Sequence, residues 1–291
     1  MNRSPESPTL SVVIPTLGRH AELIESLGVI DAVLGPNLVE VIVVFDGVPR
    51  TRPLEPAIPT PVRTVFRPTR SGPAVCRNVG ARAAQGDFLV FLDDDVHPCE
   101  TWLASASHGI AAGRKCQTGP VTRRDDTLLS RARAARYDAR FRALSCGSEV
   151  EFLAGGNTVI DRRLFFATGG FPELEVGSDS ALIGPLRDLG EVCHFCPGLS
   201  VGHQNDRGYR SAIRAAFLSG VMGVSERQRL ESPTLDLRPG ASVVLLNLAL
   251  WFVKAIGRLA ATSVAELGRS RSVCEGPEER DADRADLVLS H

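Results

Sequence analysis

Phe88-Leu89-Val90-Phe91-Leu92-Asp93-Asp94-Asp95-Val96 is the stretch on which the reading of this chain turns. Five apolar residues without a polar interruption predict a strand buried on both faces, as in a parallel sheet. Three carboxylates follow at its C-terminal end, the side on which open α/β sheets hold their ligands. Adjacent negative charges repel by on the order of 1 kcal/mol per pair even in water, so a counter-cation is expected among them. All-oxygen ligands suit a hard divalent ion, Mg²⁺ or Mn²⁺, with positions left open for phosphates. A second reading is that the aspartates form a solvated turn or cap a helix starting near Pro98.

The 291 residues, 43% of them hydrophobic, are enough for one large α/β domain with a sizeable core. A net charge of −1 provides no global field for recruiting nucleic acid, and no nucleic-acid partner is expected. The seven cysteines are odd in number and scattered, and the chain opens with the polar Met1-Asn2-Arg3-Ser4-Pro5-Glu6. Both features predict reduced thiols and a cytoplasmic setting. Cys193-His194-Phe195-Cys196 looks like half a zinc or redox motif with no second cysteine pair, so buried strand thiols are expected there.

Working outward, Thr9–Thr16 is a first buried strand stopped at Pro15, and Val39–Gly47 is a second that ends in Asp46 and a glycine. The stretch between them is long enough for a crossover helix, which makes a βαβ unit. Val62–Phe66 is a third strand, and Ser71-Gly72-Pro73 opens a helix that runs to Ala84. This alternation predicts a mostly parallel, doubly wound sheet with Thr16, Asp46 and the aspartate trio on one rim.

Val13-Ile14-Pro15-Thr16 with Arg19, then Val44-Phe45-Asp46-Gly47, Gly72-Pro73-Ala74-Val75-Cys76-Arg77-Asn78-Val79-Gly80 and Phe91-Leu92-Asp93-Asp94-Asp95 together resemble the nucleotide-binding half of family-2 glycosyltransferases. The resemblance lies in their order and spacing, runs from about Leu10 to Val96, and resumes more loosely from Phe152 to Tyr209. It implies an A-type glycosyltransferase fold: one α/β domain over 1–240, with a nucleotide-binding half at about 9–113 and an acceptor half at about 114–240. C-terminal additions would be a helix over 241–265 and an acidic, disordered tail over 266–291. It also implies that Pro15, Thr16 and Arg19 hold the nucleotide, that Asp46 bonds the base, and that Arg77 and Asn78 support the pocket. Asp95 would bind the metal, while Asp93 would meet the ribose or the metal's water shell, with Asp94 between them. Read without the family, Asp46-Gly47 is also an ordinary turn and Arg77-Asn78 an ordinary helix face.

From Gly113 to Arg142 the chain turns basic, which fits a solvated helix, an acidic acceptor or a membrane surface. Gly155-Gly156 allows close backbone approach to a ligand and resembles the family's segment before the acceptor site. After Thr168-Gly169-Gly170-Phe171-Pro172 the family places an acidic pair. Here the register gives Ser178-Asp179, so Asp179 is the candidate base, with a helix N-cap as its alternative, and Pro185 departs from the family's helix. His203 followed by Arg207 fits the family's histidine that completes the metal shell or touches the diphosphate; a satisfied surface histidine is the other reading.

An amphipathic helix is expected from Arg207 to Leu230 and another from Ala241 to Ala261, where Asn247, Lys254 and Arg258 argue against a single transmembrane span. A core-packed helix, or one lying on a membrane with Trp251 and Phe252 inward, fits better. The implied function is an inverting, metal-dependent transfer of a sugar from a nucleotide-diphosphate sugar, UDP first, to an acceptor the sequence does not name. The alternatives are a nucleotide-sugar-binding protein with weakened catalysis and a sugar nucleotidyltransferase. The second of these lacks its phosphate loop, since Pro15-Thr16-Leu17-Gly18-Arg19 is too lean.

Overall fold

The computed structural model describes residues 8–35, 37–48, 58–174, 177–204, 208–225 and 238–274. In chain order these form β1 (Leu10–Thr16), α1 (His20–Leu34), β2 (Leu38–Asp46), β3 (Val62–Arg67), α2 (Pro73–Ala83), β4 (Phe88–Leu92), β5 (Val96–Pro98) and α3 (Trp102–Ala111). Then come β6 (Cys116–Thr118), β7 (Val121–Arg123), α4 (Leu128–Phe141), β8 (Asn157–Asp161), α5 (Arg162–Ala167), a 3-10 turn (Ser180–Leu182), α6 (Ile183–Asp188), β9 (His194–Phe195), β10 (Val201–His203), α7 (Tyr209–Ser225) and α8 (Ala241–Cys274).

A seven-stranded sheet in the order β3-β2-β1-β4-β8-β6-β9 forms the centre. β1 to β4 are mutually parallel, and β8 runs antiparallel to both β4 and β6. Side chains alternate across a strand, so the two faces of each buried strand serve two cores. Val12, Ile14, Val41, Val43, Val90 and Leu92 pack on one face with Leu23, Leu27 and Ile30 of α1 and Trp102 of α3. Val13, Ile42, Val44, Leu89 and Phe91 pack on the other with Ala74 and Ala81 of α2 and Phe165 of α5. Burial of each such side chain stabilises by about 1.5–3 kcal/mol, which explains why both faces must be apolar.

The helix expected to start near Pro98 starts later in the chain. Val96–Pro98 is β5, the edge of a small sheet ordered β5-β10-β7, and α3 begins only at Trp102. Proline lacks the ladder donor and is tolerated on such an edge. α8 likewise runs past the 265 boundary to Cys274; residues 226–230 of the expected α7 and 275–291 of the acidic tail lie outside the described residues.

The chain divides into two compact units, Met1–Asp206 with Arg238–Val243, and Arg207–Leu237 with Val244–His291. The first contains both sheets. In the second, α7 and α8 approach closely: a Cβ on Gly220 would lie 1.9 Å from the Lys254 carbonyl oxygen, and one on Gly257 would lie 2.3 Å from that of Phe217.

Candidate active site

Because β1, β2 and β4 are parallel, Thr16, Asp46 and Asp93 emerge on one rim of the sheet. The aspartate trio sits in the turn between β4 and β5, and its members part company there. Asp94, buried, accepts from Thr16 Oγ1 at 2.7 Å and from the Arg19 guanidinium, which also donates to Asp95 Oδ2 at 3.1 Å. Arg19 thus supplies part of the positive charge that three adjacent carboxylates require. Burial pushes the Asp94 carboxyl above its ordinary value; Thr16 and Arg19 pull it back, and Asp95 and Asp93 add to the rise. Burial works against the Arg19 charge, but Asp94 and Asp95 outweigh it, so its net direction is upward. Pro15 pairs with Val44 in the sheet and sets Thr16 at the strand end.

Asp93 and Asp95 turn instead toward His203 at the end of β10. His203 Nε2 lies 3.2 Å from Asp93 Oδ2 and 3.4 Å from Asp95 Oδ1, and one ligand atom from each of the three residues falls within 4.8 Å of the others. Two carboxylates and an imidazole, His203 and Asp95 buried and Asp93 half-buried, make a donor set that fits a divalent cation with coordination positions left open. Arg77 Nη2 donates to Asp93 Oδ1 at 2.6 Å and fixes that carboxylate from the opposite side.

Gly155 and Gly156 are glycines because the backbone runs through a crowded gap. A Cβ on Gly156 would lie 2.4 Å from Asp93 Oδ2, and one on Gly155 would lie 2.9 Å from both Arg77 Nη1 and Asp179 Cβ. The structure therefore brings Arg77, Asp93 and Asp179 around one short segment. Asp179 Oδ2 accepts from Gly155 N at 2.9 Å and Oδ1 accepts from Ser180 N at 3.0 Å, so Asp179 also caps the 3-10 turn. Ser178, where the family places an acid, is buried.

Two of the expected nucleotide residues work through the backbone. Asp46 accepts from Ser71 N at 2.7 Å and Gly72 N at 2.9 Å, tying the end of β2 to the start of α2. Asn78 sits on the helix and grips Phe171 twice, donating to its carbonyl at 2.8 Å and accepting from its N–H at 2.9 Å. It supports the Gly-Gly-Phe turn rather than projecting into the rim. Arg207 lies outside the described residues. Cys193 and Cys196 are buried free thiols, as read from their strand setting.

Sequence reading gave Asn157 no role of its own and did not divide the arginines of the basic stretch that becomes α4. Asn157, fully buried, accepts from Trp102 Nε1 at 3.1 Å and donates to the Leu199 carbonyl at 2.6 Å, locking β8 to α3 and the approach to β10. Its position after Gly155-Gly156 was the available signal. On α4, Arg133 and Arg140 lie over the rings of Tyr137 and Phe152.

A mannosyltransferase from Pyrobaculum calidifontis, solved with GDP-Man and Mn2+, superposes with a TM-score of 0.59 at 21% identity over 95% of this chain and 83% of its own. GalNAc-T7 with UDP, GalNAc and Mn2+ gives 0.56 at 17% identity over 75% of this chain and 48% of its own. At such identities the likeness establishes the fold, that of the A-type glycosyltransferases. In sequence, the pre-mycofactocin glycosyltransferase of Mycobacterium tuberculosis is 28% identical over 221 residues, 71% of this chain and 46% of that protein. The chain thus spans about half the length of this curated relative. A glycosyltransferase of Haemophilus influenzae is 38% identical over 86 residues, 30% of this chain and 29% of its own. Residues 11–166, more than half of the sequence, match the family described as Glycosyl transferase family 2, and the chain belongs to that family.

Proposed function

We propose that this chain transfers a sugar from a nucleotide-diphosphate sugar to an acceptor with inversion at the anomeric carbon, using a divalent metal. The observation that carries the reading is the convergence of Asp93, Asp95 and His203 beside Asp179 across Gly155-Gly156. Asp93, Asp95 and His203 would hold Mn²⁺ or Mg²⁺, which when bound supplies charge neutralisation for the diphosphate. Thr16, Arg19 and Asp94 shape the nucleotide side of the rim. Asp46 keeps a second lone pair on each oxygen after accepting from Ser71 and Gly72, which suits the imide N–H of uracil or the N–H groups of guanine, and a UDP-sugar is the first donor to test. In the transfer, Asp179 takes the acceptor's proton as the acceptor atom bonds to the anomeric carbon. The bond from that carbon to the phosphate oxygen breaks, and its electron pair leaves with the nucleoside diphosphate.

A second reading, donor binding with weak catalysis, is favoured by one observation: both carboxylate oxygens of Asp179 already accept backbone N–H groups, and Ser178 offers no second acid. Release of free nucleoside diphosphate from UDP- and GDP-sugars separates the two without knowledge of the acceptor. Release that needs Mn²⁺ and vanishes in Asp95→Asn is expected. Full release in excess EDTA would sink the metal-dependent reading, and donor binding without release would favour the second one.

We infer in addition that α8 meets a membrane surface. Leu245, Phe252, Ile256 and Leu259 are each more than half exposed and recur at i, i+7, i+11 and i+14, one narrow stripe of the helix. The span Ala241–Ser263 is long and apolar enough to cross a membrane, with 22% of its most apolar window buried. Arg210 and Arg214 of α7 in the same compact unit add basic charge suited to anionic lipid.

A further inference from the structure

α4 carries a row of arginines that neither the nucleotide rim nor the metal ligands use. Thr127 caps the helix by accepting from Ser130 N, and Leu129, Ala132 and Phe141 bury one side of it. Arg133, Arg136 and Arg140 then fall at i, i+3 and i+7 on a shared face. Near the helix start Arg123 and Arg131 pair with Asp126, whereas Arg133, Arg136 and Arg140 have no carboxylate in ion-pair reach among the described residues. Aromatic rings orient two of them: the Arg133 Cζ lies 5.9 Å from the Tyr137 ring centre and the Arg140 Cζ lies 4.1 Å from that of Phe152, the two rings being 5.6 Å apart. A guanidinium laid on a ring, as that of Arg140 on Phe152, leaves its in-plane N–H fork for an oxyanion, while Arg133 shares part of its fork with the Tyr137 hydroxyl.

The position of this face ties it to the acceptor. Phe152 opens the segment Phe152-Leu153-Ala154-Gly155-Gly156, whose other end touches Asp179 and Asp93. Surrounding protein and the like charges of Arg133 and Arg140 lower the pKa of Arg136, though the side chain as a whole remains exposed; a bound anion would relieve that repulsion. The nucleotide rim is built from β1, β2, α2 and the turn after β4, none of which supplies this face.

We propose that Arg133, Arg136 and Arg140 bind a phosphate carried by the acceptor and so hold its nucleophile toward Asp179. This rests on the glycosyltransferase reading above. A dianionic phosphate engages two guanidinium forks at once, which a neutral sugar hydroxyl cannot do.

The test is calorimetric titration of phenyl phosphate, decyl phosphate and benzyl alcohol into the full chain, with and without saturating UDP and Mn²⁺, for the wild type and for Arg133→Gln/Arg136→Gln. The expected result is that phenyl phosphate binds the UDP-loaded chain at least about tenfold more tightly than benzyl alcohol, and that the double variant erases the difference while keeping its thermal midpoint and its affinity for UDP with Mn²⁺. Arg140→Gln, at the far end of the row, should weaken phosphate binding by a smaller factor. Tighter binding of decyl than of phenyl phosphate would assign the phosphate to a lipid carrier, and equal binding to a soluble acceptor. The proposal is overturned if phosphate and alcohol bind the wild type alike, if the double variant binds phosphate unchanged, or if UDP displaces phenyl phosphate, which would place it in the donor's own diphosphate site. Failure of the glycosyltransferase reading shows separately, as absence of UDP affinity in the presence of Mn²⁺.

Discussion

Asp179 has two tasks in the proposed mechanism, and they make opposite demands on its carboxylate. As a cap it must accept from Gly155 N and Ser180 N; as a base it must present a lone pair to the acceptor's proton. Four lone-pair sites on a carboxylate permit both. Asp179→Asn keeps one acceptor oxygen, so one of the two N–H groups loses its partner and stability should fall by about 1 kcal/mol. The amide accepts no proton, so kcat should fall by about 10²–10⁴-fold with donor affinity unchanged. Steady-state kinetics beside a thermal melt distinguish the tasks: a lowered melting point with kcat per folded molecule intact would leave Asp179 as a cap alone. The sequence named this residue and its neighbours but not their orientations. Asp93, Asp94 and Asp95 read as one negative cluster, yet a turn sends successive side chains in unrelated directions, and only the folded chain separates Asp94, held by Thr16 and Arg19, from the pair that meets His203.

The elements that were legible are those whose own residues decide their state. β1, β2 and β4 are apolar runs buried on both faces, and α2 is announced by Pro73 at its start. The three-residue strands β5, β6 and β7 are too short to show a period, and the pairing of β10 and β8 depends on partners as much as a hundred residues away, so the small sheet and the reversed direction of β8 were not readable. The basic character of α4 was plain in sequence, but which arginines pair with Asp126 and which lie over Tyr137 and Phe152 was not. One element-scale feature was written in a single residue. Gly80, on the face of α2 toward the sheet, would with a Cβ meet Val13 Cγ1 at 2.3 Å and Val44 Cγ2 at 3.3 Å. Both valines are β-branched and fully buried, so neither swings aside, and Gly80→Ala should overpack the interface despite alanine's better helix propensity. A loss of about 1–3 kcal/mol in urea unfolding is expected. Nucleotide binding should weaken as well, since α2 carries Arg77 to Asp93. A stability equal to or above that of the wild type would mean that α2 is free to move off the sheet.

At the scale of the whole molecule the proposed catalytic rim and the exposed apolar stripe of α8 belong to different compact units, so localisation and chemistry should be separable by mutation. Full burial of a large apolar side chain contributes about 1.5–3 kcal/mol, so even partial insertion of Leu245, Phe252, Ile256 and Leu259 supplies several kcal/mol toward a bilayer. Arg210 and Arg214 would add roughly 1 kcal/mol each near an anionic surface, an increment that salt screens. Sedimentation with liposomes should therefore enrich the full chain on anionic vesicles, less on zwitterionic ones, and less again at high salt. Phe252→Glu combined with Ile256→Glu places two charges in the middle of the stripe, at positions each 59% exposed, so the change should cost little in fold while abolishing sedimentation. Release of nucleoside diphosphate from a soluble donor should continue at the wild-type rate, because the proposed metal ligands and base, Asp93, Asp95, His203 and Asp179, all belong to the first unit. If the wild type stays in the supernatant at low salt and instead elutes as a dimer that the double variant breaks, the stripe joins two copies of the chain and the membrane reading falls.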